Sequence, residues 1–170
     1  LEEKIRRFVE EDVGQGDITT LLTIPSGTIV KAKVIAEESG IVAGVEEVLT
    51  LLKSFNLQAS ALVPDGSEVE EKTAVLNITG DARTLLSIER TLLNLLTRMS
   101  GIATATYRLV RKVRSVGHGT RIACTRKVAP GLSYFDKRAV MLGGGDTHRL
   151  HLDDLVLIKD NHLAILGSVD

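Results

Sequence analysis

The sequence predicts an α/β protein in two units, an N-terminal α+β unit and then the opening strands of a parallel α/β barrel or sheet. Three observations carry that reading. Between Thr28 and Thr79, short alternating or apolar segments are separated by turn signals, the pattern of strands. From Asp81 to Gly117 the apolar period is that of a helix. Beyond Gly117 two apolar runs end abruptly in cations. Arg121-Ile122-Ala123-Cys124-Thr125 leads into Arg126 and Lys127, and Leu155-Val156-Leu157-Ile158 leads into Lys159, Asp160, Asn161 and His162. Such runs read as strands buried on both faces, whose last residues face a shared rim where ligands bind.

Residues Glu2 to Asp12 set Ile5, Phe8 and Val9 at helical spacing, so a short amphipathic helix precedes the turn Gly14-Gln15-Gly16-Asp17. Strand-like segments follow at Thr28 to Glu37, Gly40 to Ala43, Leu57 to Val63 and Ala74 to Thr79. Val45 to Phe55 reads as a helix and Pro64-Asp65-Gly66 as a turn. Asp81 is an N-cap candidate for a helix whose Leu85, Leu86, Ile88, Leu92, Leu93, Leu95, Leu96 and Met99 cover an arc of about 180°. Glu89 falls near the centre of that arc, which predicts a buried carboxylate with an Arg or backbone donor beside it. Arg83, Arg90, Asn94 and Thr97 lie on the opposite or flanking face.

Ser100-Gly101 is expected to break or bend the helix. A second helix carrying Ile102, Ala105, Leu109, Val113 and Val116 then ends near Gly117. Arg121 to Thr125, a segment around Val140 to Leu142, and Leu155 to Ile158 are the strands expected afterwards. A closed eight-stranded barrel takes roughly 200–250 residues. The expectation is therefore that the sheet stays open or that the chain is a truncated enzyme whose last strands are absent.

With 170 residues, 44% hydrophobic and 25% charged, the chain can bury a substantial core and is too apolar for disorder. No apolar run approaches the roughly 20 residues of a membrane span. Leu1-Glu2-Glu3-Lys4 is unlike a signal peptide, and with no initial Met, further residues are expected before Leu1. The single cysteine, Cys124, cannot form an internal disulfide, which points to a reducing, cytoplasmic setting; within its apolar run it reads as a small packed hydrophobe. Residues 1–81 hold fifteen acidic against seven basic side chains, and residues 82–170 fourteen basic against seven acidic. A basic half can suit nucleic acid, but aromatics are 3%, Trp is absent, and the cations sit singly at strand ends, so small anionic ligands fit better.

Several segments in order resemble one family: Glu11-Asp12-Val13-Gly14-Gln15-Gly16-Asp17-Ile18-Thr19, Gly40 to Gly44, Glu89-Arg90-Thr91-Leu92-Leu93-Asn94, Ser100 to Thr104, Thr125-Arg126-Lys127, Pro130-Gly131-Leu132, Gly143-Gly144-Gly145, His148-Arg149 and Ile158-Lys159-Asp160-Asn161-His162. The chain resembles the quinolinate phosphoribosyltransferases, also called carboxylating nicotinate-nucleotide pyrophosphorylases. The resemblance implies an N-terminal α+β sandwich domain, placed at 1–117, followed by an α/β barrel domain at 118–170 that is incomplete in this chain. It implies a homodimer or larger homo-oligomer in which Arg90 reaches a neighbouring site. The implied reaction belongs to NAD biosynthesis and joins quinolinate to phosphoribosyl pyrophosphate. Its products are nicotinate mononucleotide, pyrophosphate and carbon dioxide, and Mg2+ enters with the phosphoribosyl substrate on ligands outside this chain. The residue after the Thr-Arg-Lys motif is commonly Thr and the one after Pro-Gly-Leu commonly Arg; here they are Val128 and Ser133.

Substrate contacts are accordingly expected from Arg90, Thr125, Arg126, Lys127, Lys137, His148, Arg149 and Lys159, with Lys127 and Lys159 catalytic. Arg126 and Arg149 suit forked carboxylate recognition; Lys127 and Lys159 are compact charges for phosphate or pyrophosphate, and Lys137 is a candidate phosphate contact. Two cations about 6 Å apart repel by roughly 3 kcal/mol at an effective dielectric of about 20. Each charge-assisted hydrogen bond to a bound anion returns about 1.5–3 kcal/mol. The duller alternative pairs these cations with Asp136, Asp146, Asp153, Asp154 or Asp160. His148 and His151 lack a third convergent ligand, so no protein metal site is read, and Gly143-Gly144-Gly145 reads as a crowded turn. Two rival functions stay open: a related phosphoribosyltransferase-like protein with another anionic substrate, and a noncatalytic anion-binding fragment.

Overall fold

Helix α1 (Glu2–Val13) forms where Ile5 and Val9 share a buried face, and it stops at Gly14, whose φ of +57° suits glycine. The computed structural model describes residues 1–117 and 119–168; the domain boundary expected at 117/118 and the limit at 170 involve His118 and Asp170, outside the described residues. Helix α2 (Ile18–Thr23), directly after the expected turn, was not anticipated. Its N-cap is Asp17, whose carboxylate accepts the Thr20 N–H at 2.9 Å.

Strands β1 (Ile29–Ile35), β3 (Gln58–Ala61) and β5 (Ala74–Asp81) make an antiparallel sheet in the order β1-β5-β3, with Ala32 and Ala59 both opposite Ile78. Strands β2 (Gly40–Ile41) and β4 (Glu68–Val69) form a separate ribbon, of which β4 was not anticipated. Helix α3 (Val45–Ser54) joins β2 to β3. Asp65, in the expected turn, satisfies its open N-terminus by accepting the N–H groups of Gly44, Val45 and Glu46. The core gathers Ile5 of α1, Leu51 and Leu52 of α3 and Leu76 of β5 with residues of the helices that follow.

Helix α4 (Ala82–Arg114) begins at the expected cap, where Asp81 accepts the Thr84 N–H at 2.9 Å. It then runs 33 residues without the expected break at Ser100-Gly101. Tertiary packing outweighs the cost of about 1 kcal/mol of a mid-helix glycine. Ser100 and Thr104, one turn apart, act as substitute strand partners: Ser100 Oγ accepts the Ala43 N–H at 3.0 Å and Thr104 Oγ1 the Ile41 N–H at 2.8 Å. Replacing Thr104 by the isosteric Val strands a buried N–H at about 1–3 kcal/mol. The melting temperature should fall by about 2–4 °C per kcal/mol, and an unshifted thermal melt would show the hydroxyl to be dispensable.

Glu89 is exposed, and the expectation of a buried carboxylate there is overturned. Leu86 is 42% exposed and Leu93 only half-buried, so the buried arc of α4 is narrower than the apolar one and Glu89 lies beyond its edge. The helical carboxylate that is fully buried among the described residues is instead Glu47, at 0% exposure. It sits one turn before Leu51 on the apolar face of α3, a signal the sequence did contain.

The second unit departs further from its expected strands. Val140 to Leu142 belongs to helix α5 (Ser133–Leu142), because Phe135, Ala139 and Val140 recur at helical spacing and are buried. Phe135, fully buried, meets the Phe8 and Tyr134 rings with centroids 5.7 and 5.2 Å away. Leu155 to Ile158 is exposed and irregular, since no described strand pairs with it. Arg121 to Thr125 forms no full strand; its one ladder contact is an isolated parallel bridge between Ala123 and Asp146. Helix α6 (Asp160–Leu166) buries nothing. The mixed α/β class holds, with the sheet in the first unit and one parallel bridge in the second.

Candidate functional site

The isolated bridge positions the site. Cys124 N–H donates to Asp146 O at 2.9 Å and Asp146 N–H to Ile122 O at 2.7 Å, so the two segments run side by side in one direction. Thr125-Arg126-Lys127 and His148-Arg149 therefore leave the same end of the pair, as parallel neighbours must. Thr125 Oγ1 accepts the Lys127 N–H at 3.1 Å and tightens that exit. The three glycines hold the second segment against α4: a Cβ on Gly143 would stand 2.4 Å from Ala103 O, and one on Gly145 2.7 Å from Thr106 Cγ2. The crowded turn expected there is what forms.

Polar bonds knit the loop that follows. Asp146 Oδ1 accepts the His148 N–H at 2.7 Å, and Asp154 Oδ2 accepts those of Leu150 and His151. The His151 and Leu150 N–H groups hold the Asp154 carboxyl below the usual carboxylate range. His148 adopts φ of +50°, uncommon for a residue with a side chain. Arg149, 7% exposed, donates from Nη1 to Leu155 O at 3.2 Å. Lys137, on α5, is 2% exposed, with Nζ 2.6 Å from Thr147 O, 3.0 Å from Arg149 O and 3.7 Å from the half-buried Cys124 Sγ.

Electrostatics single out two of these residues. Four charged side chains are buried among the described residues: Glu47, Asp136, Lys137 and Arg149. Both acids have an arginine. Arg98 grips Asp136 with two bonds of 2.7 and 2.9 Å, and Arg138 Nε lies 2.8 Å from Glu47 Oε1. Neither buried cation has a carboxylate within 4 Å among the described residues. The same holds for Arg90, Arg126, Lys127 and Lys159, so the local bridges weighed as the duller alternative do not form with the described acids. Asp146 goes instead to Arg121, at 3.0 Å.

Lys137, Cys124 and the Thr147–Arg149 turn thus form one polar assembly, with Thr125, Arg126 and Lys127 exposed at its rim. Arg90, exposed on α4, and Lys159, exposed at the N-cap of α6, make no side-chain contact with it among the described residues. Among the described residues, no three His, Cys, Asp or Glu side chains converge as a metal site would need.

Sequence reasoning missed Asp146 and Asp154, weighed only as partners for cations, and it missed the anchor of α5. Arg138 reaches across to Glu46, Glu47 and Asp65 around the start of α3, while the Tyr134 hydroxyl donates to Glu47 Oε1 at 3.1 Å. Burial pushes the Glu47 carboxyl up from its ordinary range, opposed by the Arg138 guanidinium. A cleft of about 360 Å3 lies toward the opposite end of the parallel pair, between Arg114, Arg121, Met141 and Gly145. None of the expected substrate residues lines it.

Family models for quinolinate phosphoribosyl transferase match the chain in sequence, the N-terminal domain over residues 17–100 and the C-terminal domain over residues 102–170. A probable nicotinate-nucleotide pyrophosphorylase [carboxylating] of Methanothermobacter thermautotrophicus is 46% identical over 166 residues, covering 98% of this chain and 60% of the relative. The nicotinate-nucleotide pyrophosphorylase [carboxylating] of Mycobacterium leprae is 45% identical over 97% of this chain and 59% of its own. The crystal structure of NadC from Streptococcus pyogenes superposes with a TM-score of 0.89 at 33% identity, covering 99% of this chain and 60% of that one. The chain spans about 60% of the length of these relatives. Matched by both domain models and superposing on a solved relative over nearly its whole length, the chain belongs to the quinolinate phosphoribosyltransferase family.

Proposed function

We propose that the protein carrying this chain transfers the phosphoribosyl group of phosphoribosyl pyrophosphate to quinolinate with loss of carbon dioxide. The observation that carries this is the buried Arg149, with no carboxylate within 4 Å among the described residues, at the end where Thr125-Arg126-Lys127 also emerges. A buried charge is expensive unless something compensates it, and a multiply anionic guest supplies the missing sign.

In the reaction the pyridine nitrogen forms a bond to the anomeric carbon as the carbon–oxygen bond to pyrophosphate breaks and its electron pair leaves with pyrophosphate. The carboxylate next to the ring nitrogen then departs as carbon dioxide, and the electron pair it leaves on the ring carbon takes a proton. Such chemistry is mainly positioning and electrostatic stabilisation. Arg149 and Arg126 would hold the two carboxylates by paired N–H bonds, His148 would contact the same substrate, and Lys127 and Lys159 would stabilise charge on the departing pyrophosphate. Magnesium would arrive on the pyrophosphate. The described residues offer it no converging ligand set. Arg90 would complete the site of a neighbouring copy, which explains an arginine left exposed on α4. The setting would be cytoplasmic, in keeping with the lone Cys124; no described helix is long and apolar enough to cross a membrane.

Calorimetry on the full-length protein tests this. Quinolinate should bind at millimolar or tighter, and nicotinate, lacking one carboxylate, at least tenfold more weakly; adding phosphoribosyl pyrophosphate and Mg2+ should yield nicotinate mononucleotide. Equal affinity for the two acids would rule out paired carboxylate recognition.

A further inference from the structure

We infer that Lys137 is a positioning residue, whose buried ammonium clamps the carbonyl oxygens on either side of His148 and so fixes the turn presenting His148 and Arg149. An ammonium has three protons. Here they face Thr147 O at 2.6 Å, Arg149 O at 3.0 Å and Cys124 Sγ at 3.7 Å, so none remains for a substrate phosphate. The two carbonyls belong to the residues flanking His148, and His148 itself is left-handed at φ +50°. That conformation carries a steric penalty for a residue with a Cβ and persists only where its surroundings impose it. In this turn the two carbonyl dipoles converge on one cation from the inside, while Asp146 Oδ1 holds the His148 N–H at 2.7 Å from the outside.

The clamp works because α5 is itself immobilised by the residues on either side of Lys137. Asp136 is gripped by Arg98 of α4 through two bonds, and Arg138 reaches the buried Glu47 of α3. Three consecutive charged residues thus face three different partners, two of them in the first unit and one in the turn. A side chain without a donor at 137 would leave the Arg149 carbonyl unpartnered and the Thr147 carbonyl with only the weak Cys124 S–H at 3.5 Å, and an arginine would not fit the space of an ammonium that is 2% exposed.

This inference rests on the proposed function only for its ligand, so the experiment has a readout free of ligand. In the full-length protein, hydrogen exchange of the amides of His148 to His151 is compared between wild type and Lys137→Met, and quinolinate affinity is measured on both. The clamp requires faster exchange of those amides in Lys137→Met and a quinolinate affinity at least tenfold weaker. Asp146→Ala, which releases the same turn from its exposed side, should reproduce both changes and keeps the test open if the methionine variant fails to fold. Unchanged exchange in a folded variant overturns the clamp, as does weakened binding of phosphoribosyl pyrophosphate with quinolinate affinity intact, the signature of direct phosphate contact. A wild type that shows the protected turn but does not bind quinolinate instead overturns the functional reading.

Discussion

Arg149→Met is expected to weaken quinolinate binding by about a hundredfold or more without loss of thermal stability. Each charge-assisted bond from a guanidinium to a carboxylate contributes about 1.5–3 kcal/mol, and the planar fork of arginine makes two at once. Stability should behave oppositely. Arg149 is 7% exposed, has no carboxylate partner among the described residues and is tied by one bond to Leu155 O. Methionine retains a stem of similar length and removes a charge held in a desolvated place, so the melting temperature should hold or rise. Calorimetric titration and a thermal melt on the same variant decide the matter. A drop in melting temperature of about 10 °C or more would mark Arg149 as a structural residue satisfied within the fold.

Arg138→Met should do the reverse, destabilising the protein severely with no direct effect on ligand contacts. Glu47 is fully buried, and Arg138 is the cation beside it. Removing one partner of a buried ion pair costs about 3–5 kcal/mol, or about 6–20 °C for a domain of this size. The sign with pH follows from the direction of the shift. Burial already raises the Glu47 carboxyl, and losing the guanidinium that opposes burial raises it further. A carboxyl raised in the folded state is harmless while protonated, and its penalty grows as pH rises from the unfolded value of about 4.3 through the folded one. Thermal melts of wild type and Arg138→Met should therefore converge at acidic pH and diverge toward neutral. Adding Glu47→Gln should recover much of the loss. Parallel curves across pH would mean that the neighbouring Glu46 and Asp65, not Glu47, set the role of Arg138.

The first unit was largely legible because its elements depend on local pattern. Alternation in β1, the face of Ile5 and Val9 in α1, and the cap at Asp81 all stand where their spacing put them. The second unit was not, because a two-face-buried strand is defined by its neighbours. Leu155 to Ile158 has the composition of such a strand but no described partner, and it lies exposed. Val140 to Leu142 shows the opposite case, a short apolar run that continues the helical spacing of Phe135 and Ala139. Glu89 and Glu47 exchange places for a similar reason: an apolar arc on a helical wheel marks what could be buried, while only the packing of α4 and α3 shows what is.

From the sequence alone came the residue types of the site, the family they resemble and the expectation of an anion, since residue type fixes charge and hydrogen-bonding capacity wherever a side chain ends up. Tertiary structure decided which cations are buried with no carboxylate within 4 Å among the described residues and which carbonyls they meet. Lys137 and Arg149 differ from the solvated cations because burial removes water as their partner, and burial is a property of neighbours distant in the chain: α4, α3 and the turn after Gly145.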